Sequence, residues 1–280
     1  MNQTIPYSGP ERRSHPRHGR IDALRDLLFR LFRWIGRWVE GFHAAVGLFL
    51  AMGLVLAVGA VAAFAAVAAE VMEGETLAFD VAVLRWMERH HTPRLDVAAL
   101  EVTSLGAGVV VGMVIAIASV FLWVSRHRYS VALLWTALLG AGLITRTLKT
   151  VFDRPRPDVF PWVAPYADHG SFPSGHATTS MVVYLTLAYL VARLADTRAL
   201  RWMTVTAALV VIVLIGLSRL YLGVHYPSDV AAGYAVGFAW AAFCALGIEA
   251  VRYFRGRRPG MEQVEEDLDA ERDRELGARE

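Results

Sequence analysis

The sequence predicts an all-α polytopic membrane protein with six transmembrane helices, both termini cytoplasmic, and an amphipathic interfacial helix ahead of the first span. Three observations predict it. The first is bulk composition: 55% of the 280 residues are hydrophobic and the mean hydropathy is +0.40, too apolar for a soluble domain of this size. The second is the presence of six separated apolar runs of membrane-spanning character. The third is charge segregation, since arginines cluster before, after and in alternate gaps between the runs.

Residues 1–19 mix Pro, Ser, His and Arg with no apolar period and read as a disordered leader. Over 20–43 the pattern changes. Ile21, Leu24, Leu28, Leu31, Ile35, Trp38 and Phe42 recur at three- and four-residue steps between Arg25, Arg30, Arg33 and Arg37, as in a basic helix lying on an anionic bilayer. The membrane domain is expected over 44–251. Its first run, Ala44 to Ala69, is read as a retained span because the charged leader before it is too long for a usual signal sequence. Further spans are expected at Leu105 to Val124, Tyr129 to Leu148, Ala177 to Ala192, Trp202 to Leu217 and Val230 to Val251. Residues 252–280 form a charged cytoplasmic tail.

With the N-terminus inside, the inner gaps hold Arg126 and Arg128, then Arg193, Arg198 and Arg201, then Arg252, Arg255, Arg257 and Arg258. The first outer gap, Glu70 to Ser104, is acid-rich. The protein is therefore expected in the cell's inner (plasma) membrane as a multi-pass chain. Gly106, Gly108 and Gly112 are expected to permit close helix packing, and the single cysteine, Cys244, to be a small packing residue.

Two outer gaps break the charge rule and carry the chemistry. One runs from Lys149, the only lysine among 28 Lys and Arg residues, through Arg156 and Pro157 to Ser-Phe-Pro-Ser-Gly-His, residues 171–176. Pro155 and Pro157 hold the backbone out of helix, and Ser174 and Gly175 at a helix start present unpaired amides, an anion cradle. The other gap is Ser218 to Asp229, with Arg219, His225 and, four residues on, Asp229. Ionisable groups against membrane-grade sequence are functional candidates. A carboxylate holding one nitrogen of His225 would leave the other free to attack. Three cations, an amide cradle and two histidines are what phosphoryl transfer needs, and no acidic cluster suits a divalent metal.

The ordered set K-x6-R-P (Lys149 to Pro157), P-S-G-H (Pro173 to His176) and S-R-x5-H-x3-D (Ser218 to Asp229) resembles the signature of the type 2 phosphatidic acid phosphatase superfamily. That resemblance implies a bacterial membrane lipid-phosphate phosphatase acting on the extracytoplasmic face. It implies His225 as the nucleophile that becomes phosphohistidine, Asp229 as its orienter, and His176 as leaving-group acid and later base. Lys149, Arg156, Arg219, Ser174 and Gly175 would bind phosphate. The two histidines then need opposite protonation states, and a bell-shaped pH dependence follows. The implied substrates are undecaprenyl pyrophosphate, phosphatidylglycerophosphate or phosphatidic acid, the polyprenyl diphosphate first, with the bilayer as the other partner. No cofactor, metal or nucleic acid is expected. The alternatives are a lipid phosphotransferase using the same intermediate and a transporter that binds phosphate without cleaving it. Arg146 and Arg154 fall outside the signature and are expected to snorkel or to pair with Asp153 or Asp158.

Overall fold

Each apolar run lies on a helix, and most of these helices continue past the apolar residues that announce them. The computed structural model describes residues 42–161 and 170–255. The disordered leader, nearly all of the amphipathic helix and most of the charged tail lie outside the described residues. Eight helices are described: α1 (Phe42–Glu73), α2 (Leu77–Glu88), α3 (Pro93–Ser104), α4 (Gly108–Val124), α5 (Arg128–Phe152), α6 (Gly175–Leu194), α7 (Arg198–Tyr221) and α8 (Pro227–Arg255). From Phe49 onward they belong to one unit, and no strand occurs among the described residues.

Five helices, α1, α5, α6, α7 and α8, are long and apolar enough to cross a bilayer. The remaining expected span differs from its prediction. α4 has only 17 residues and reaches membrane length together with α3, from which it is bent by 47°. The expected outer loop of Glu70 to Ser104 is likewise helical for most of its length. α2 and α3 each have 12 residues, and Thr92 caps α3 by accepting the Leu95 amide at 3.3 Å.

Large apolar side chains point outward all along the bundle. Leu54, Val55, Val58 and Val61 of α1 and Val109, Ile117, Val120 and Phe121 of α4 are each more than half exposed. A surface of that kind is at home in hydrocarbon and not in water. Inside, α6 is the most buried of the spans and packs on α5, α7 and α8. One core layer joins Val111 and Ile115 of α4, Leu134 and Ala137 of α5, Val182 of α6 and Cys244 of α8. A second lies beneath the site, where Leu84 of α2 meets Phe160, Ala177, Leu220 and Val230.

Two glycines of α8 fix how closely α6 and α8 approach. A Cβ at Gly233 would fall 2.8 Å from the Ser174 carbonyl oxygen, and one at Gly237 would fall 2.8 Å from that of Thr178. Both helices are thus seated backbone to backbone, and the start of α6 lies beside the start of α8. Gly106 also serves close packing, since a Cβ there would meet Ile215 at 2.8 Å. Gly108 and Gly112 have no neighbour within 4 Å of a built Cβ, so the packing role expected of them is not observed.

Candidate active site

Four helix ends converge at one end of the bundle: the last turns of α5 and α7 and the first turns of α6 and α8. Lys149 sits in the last turn of α5 and donates to the Gly170 carbonyl at 3.1 Å. Asp153, with a left-handed φ of 39°, ends that helix. The chain then runs extended through Pro155 and Pro157. Ser171 pins this stretch, its amide donating to the Arg154 carbonyl at 2.8 Å and its hydroxyl to the Pro155 carbonyl at 3.1 Å. The two parts of the expected 149–176 signature region are thereby bound to each other.

At the start of α6, where unpaired amides are expected of Ser174 and Gly175, the Ser174 amide is instead taken up by the neighbouring helix start. Ser174 is fully buried, its amide donates to the Asp229 carbonyl at 3.0 Å, and its hydroxyl has no hydrogen-bond partner among the described residues. A buried, unpartnered hydroxyl beside a helix N-terminus suits an anionic oxygen. Gly175 and His176 follow in the first turn, and both line a cavity with Lys149. Arg219, in the last turn of α7 and 3% exposed, donates to Thr103 Oγ1 of α3 at 2.7 Å. Arg219, His225, Lys149 and Arg156 all lie within electrostatic range of His176.

His225, 1% exposed, stands in the short loop between α7 and α8. Its Nδ1 faces Asp229 Oδ2 at 3.4 Å. Because a carboxylate only accepts, this contact assigns the ring proton to Nδ1 and the lone pair to Nε2. Arg156 is the donor to that lone pair, its Nη1 lying 3.4 Å from Nε2 while also donating to the Val224 carbonyl at 2.9 Å, so a phosphate oxygen that draws the guanidinium away would release Nε2. Burial is the largest influence on the imidazole and disfavours its charged form. The hydrogen bond and charge of Asp229 oppose this and Arg219 and Arg156 reinforce it, so the pKa falls to about 4. The ring is neutral at neutral pH.

All eight residues that the sequence nominates, Lys149, Arg156, Ser174, Gly175, His176, Arg219, His225 and Asp229, are therefore found at this end of the bundle. Arg154 is a correction. It pairs with neither Asp153 nor Asp158: its Nη2 contacts Asp80 Oδ2 at 2.9 Å, and its Nη1 contacts Asp229 Oδ1 at 2.6 Å and Ser228 Oγ at 2.8 Å. The guanidinium also lies 4.2 Å from the centre of the Tyr226 ring. Asp80, in the first turn of α2, is fully buried and accepts from the Ser228 amide at 3.0 Å and the Ser228 hydroxyl at 2.5 Å. Asp229 Oδ2 further accepts the Tyr226 amide at 2.9 Å. Asp80, Arg154 and Ser228 are the residues that sequence reasoning missed. Of the two alternatives expected for Arg146, pairing is not observed: it has no carboxylate partner among the described residues, although both it and Asp153 line the cavity beside Lys149.

Comparison with known proteins bears on the same helices. A family model described as the PAP2 superfamily matches residues 130–253, which contain the whole constellation except Asp80 and Thr103. Phosphatidylglycerophosphatase B of Bacillus subtilis is 34% identical over 146 residues, 52% of this chain and 71% of that protein. Undecaprenyl-diphosphatase BcrC of the same organism is 31% identical over 166 residues, 56% of this chain and 79% of that one. A lipid A 1-phosphatase of Rhizobium etli is 34% identical over 123 residues, 41% and 49% of the two chains. Among solved structures, the crystal structure of a transmembrane PAP2 type phosphatidylglycerolphosphate phosphatase from Bacillus subtilis superposes with a TM-score of 0.66 at 27% identity. The match covers 70% of this chain and 96% of that one. Since the identity holds over most of a whole relative and the fold over nearly all of a solved one, the chain belongs to the PAP2 superfamily.

Proposed function

We propose that the chain is a membrane phosphatase that hydrolyses a lipid phosphate monoester or diphosphate through a phosphohistidine on His225, on the extracytoplasmic face. The observation that carries this reading is the two-sided setting of His225, with Asp229 on Nδ1 and Arg156 beside Nε2. The relatives named as phosphatases of lipid phosphates support the substrate class. The arginines of the opposite helix ends, Arg126, Arg128, Arg193, Arg198 and Arg201, support the side.

In the first step the Nε2 lone pair attacks phosphorus and the bond from phosphorus to the leaving oxygen breaks. His176, entering protonated with the anionic substrate, gives its proton to that oxygen. Lys149, Arg156 and Arg219, with Ser174 and the α6 amides, hold the equatorial oxygens as their charge redistributes. In the second step neutral His176 takes a proton from water, the water oxygen bonds to phosphorus, and the nitrogen–phosphorus bond returns its electron pair to Nε2. Inorganic phosphate and the dephosphorylated lipid are the products. The protein's own cations do the work for which other phosphatases use a metal.

The intermediate can be trapped. p-Nitrophenyl phosphate has a leaving group that needs no proton, so His176→Ala is expected to accumulate labelled phosphoenzyme that survives alkali and is lost in acid. An acid-stable label, or none in any variant, would overturn the phosphohistidine. The activity itself is tested by phosphate release from lipid phosphates in mixed micelles.

The pH profile carries a further expectation. His225 attacks only as the neutral ring, so its contribution to the acid limb of kcat/KM lies near pH 4. Asp229 is what raises that pKa against burial. In Asp229→Asn the His225 limb therefore moves to lower pH while kcat falls. A limb displaced to higher pH would refute Asp229 as the partner of His225.

A further inference from the structure

The cavity at Lys149 does not stop at the phosphate site. It encloses about 530 Å³ and continues from Lys149, Gly175 and His176 along α5 past Arg146 to Gly142, a volume within the usual range for ligand sites. Arg146 and Lys149 are three residues apart and share a helix face, Arg146 lying about 4.5 Å further along the axis toward the middle of the span. On the other side of Lys149, Asp153 lines the outer mouth. The wall of α5 thus carries a cation on the hydrocarbon side of the phosphate site and a carboxylate on the water side. Gly142, one turn beyond Arg146, has nothing within 4 Å of a built Cβ and leaves the inner end of the cavity open.

An arginine inside a spanning helix is tolerated where something anionic or aqueous faces it, and Arg146 is exposed on the cavity wall with no carboxylate partner among the described residues. A lipid enters such a site with its tail toward the bilayer centre. Whatever joins the attacked phosphate to the tail therefore passes Arg146, while groups on the far side of that phosphate would meet Asp153. We infer that Arg146 is a second anion subsite, selecting lipids that carry another phosphoryl group between the attacked phosphate and the hydrocarbon. This rests on the proposed hydrolysis and narrows its substrate. Two chemistries satisfy it: a lipid diphosphate, with the second phosphorus adjoining the first, and a lipid whose terminal phosphate is separated from a phosphodiester by a short polyol. Phosphatidic acid, with a single phosphorus, does not.

The test compares wild type, Arg146→Gln and Arg146→Lys on a polyprenyl diphosphate, phosphatidylglycerophosphate and phosphatidic acid in mixed micelles. Arg146→Gln is expected to lower kcat/KM about 10- to 100-fold on a two-phosphorus lipid, mainly through KM, as loss of a charge-assisted hydrogen bond does. Turnover of phosphatidic acid stays within about two-fold, which also reports that the variant is folded. Arg146→Lys recovers most of the loss. Loss confined to the diphosphate assigns the adjoining phosphoryl group, and loss confined to phosphatidylglycerophosphate assigns the phosphodiester. Equal effects on all three lipids, no effect on any, or a wild type that prefers phosphatidic acid would overturn the subsite while leaving lipid phosphate hydrolysis standing. Only a wild type that releases phosphate from no lipid would refute the hydrolysis.

Discussion

Replacing His225 by alanine is expected to lower phosphate release from every lipid by roughly four to six orders of magnitude, as removal of a covalent nucleophile does in other enzymes. The site is otherwise left assembled. Asp229 keeps Arg154 on one oxygen and the Tyr226 amide on the other, and Arg156 keeps the Val224 carbonyl. Loss of activity should therefore come with retained lipid binding and only modest loss of thermal stability. The measurement is phosphate release beside lipid binding in the purified variant. Release within tenfold of wild type would remove His225 from the nucleophile's role and leave phosphate binding as the only use for the cations around it.

Much of this site was legible in the sequence because its members are constrained locally. Lys149, Ser174, Gly175, His176, Arg219, His225 and Asp229 lie within a turn or so of a helix end, and the apolar runs announce those ends. His225 and Asp229 find each other across four residues, a distance that sequence spacing resolves. The helix limits were less legible. The apolar count stops at Leu148, yet α5 continues to Phe152, because a lysine at a helix terminus can turn its ammonium to a polar partner, here the Gly170 carbonyl, without breaking the hydrogen-bond ladder. The same holds for Arg219 in the last turn of α7.

The segment between the first two apolar runs was not legible. α2 and α3 are short, interrupted by charges and only partly buried, so hydropathy read them as an acidic outer loop. Asp80 was thus one acid among seven. Its burial depends on α2 folding back over the start of α8, and its partners Arg154 and Ser228 lie 74 and 148 residues away. Nothing in local spacing encodes such a contact. The one available signal was a lone carboxylate flanked by Leu77, Phe79, Val81 and Leu84, a position where an acid in a solvated loop would have no reason to keep apolar company.

Replacing Arg154 by alanine is expected to be the most damaging change outside the signature, and its effect separates positioning from phosphate binding. The side chain is 11% exposed and the two carboxylates it bridges are fully buried. Removing it leaves Asp80 and Asp229 without their shared cation, at a cost of about 3–5 kcal/mol for an uncompensated buried charge. That cost is relieved if one carboxylate takes up a proton. A protonated or rotated Asp229 no longer orients Nδ1 of His225, so kcat should fall roughly 100- to 1,000-fold. KM should hardly move, because every described contact of the guanidinium is to Asp80, Ser228, Asp229 or the Tyr226 ring. Arg154→Lys keeps the charge but not the fork that reaches both carboxylates, and should recover stability better than kcat. Asp80→Asn, which leaves Asp229 as the only carboxylate on Arg154, should be milder than Arg154→Ala in both respects. Steady-state kinetics beside thermal unfolding decides the matter. A rise in KM at unchanged kcat would make Arg154 a phosphate ligand, and unfolding with no kinetic change in the folded fraction would make the bridge a stabilising contact with no part in holding the nucleophile.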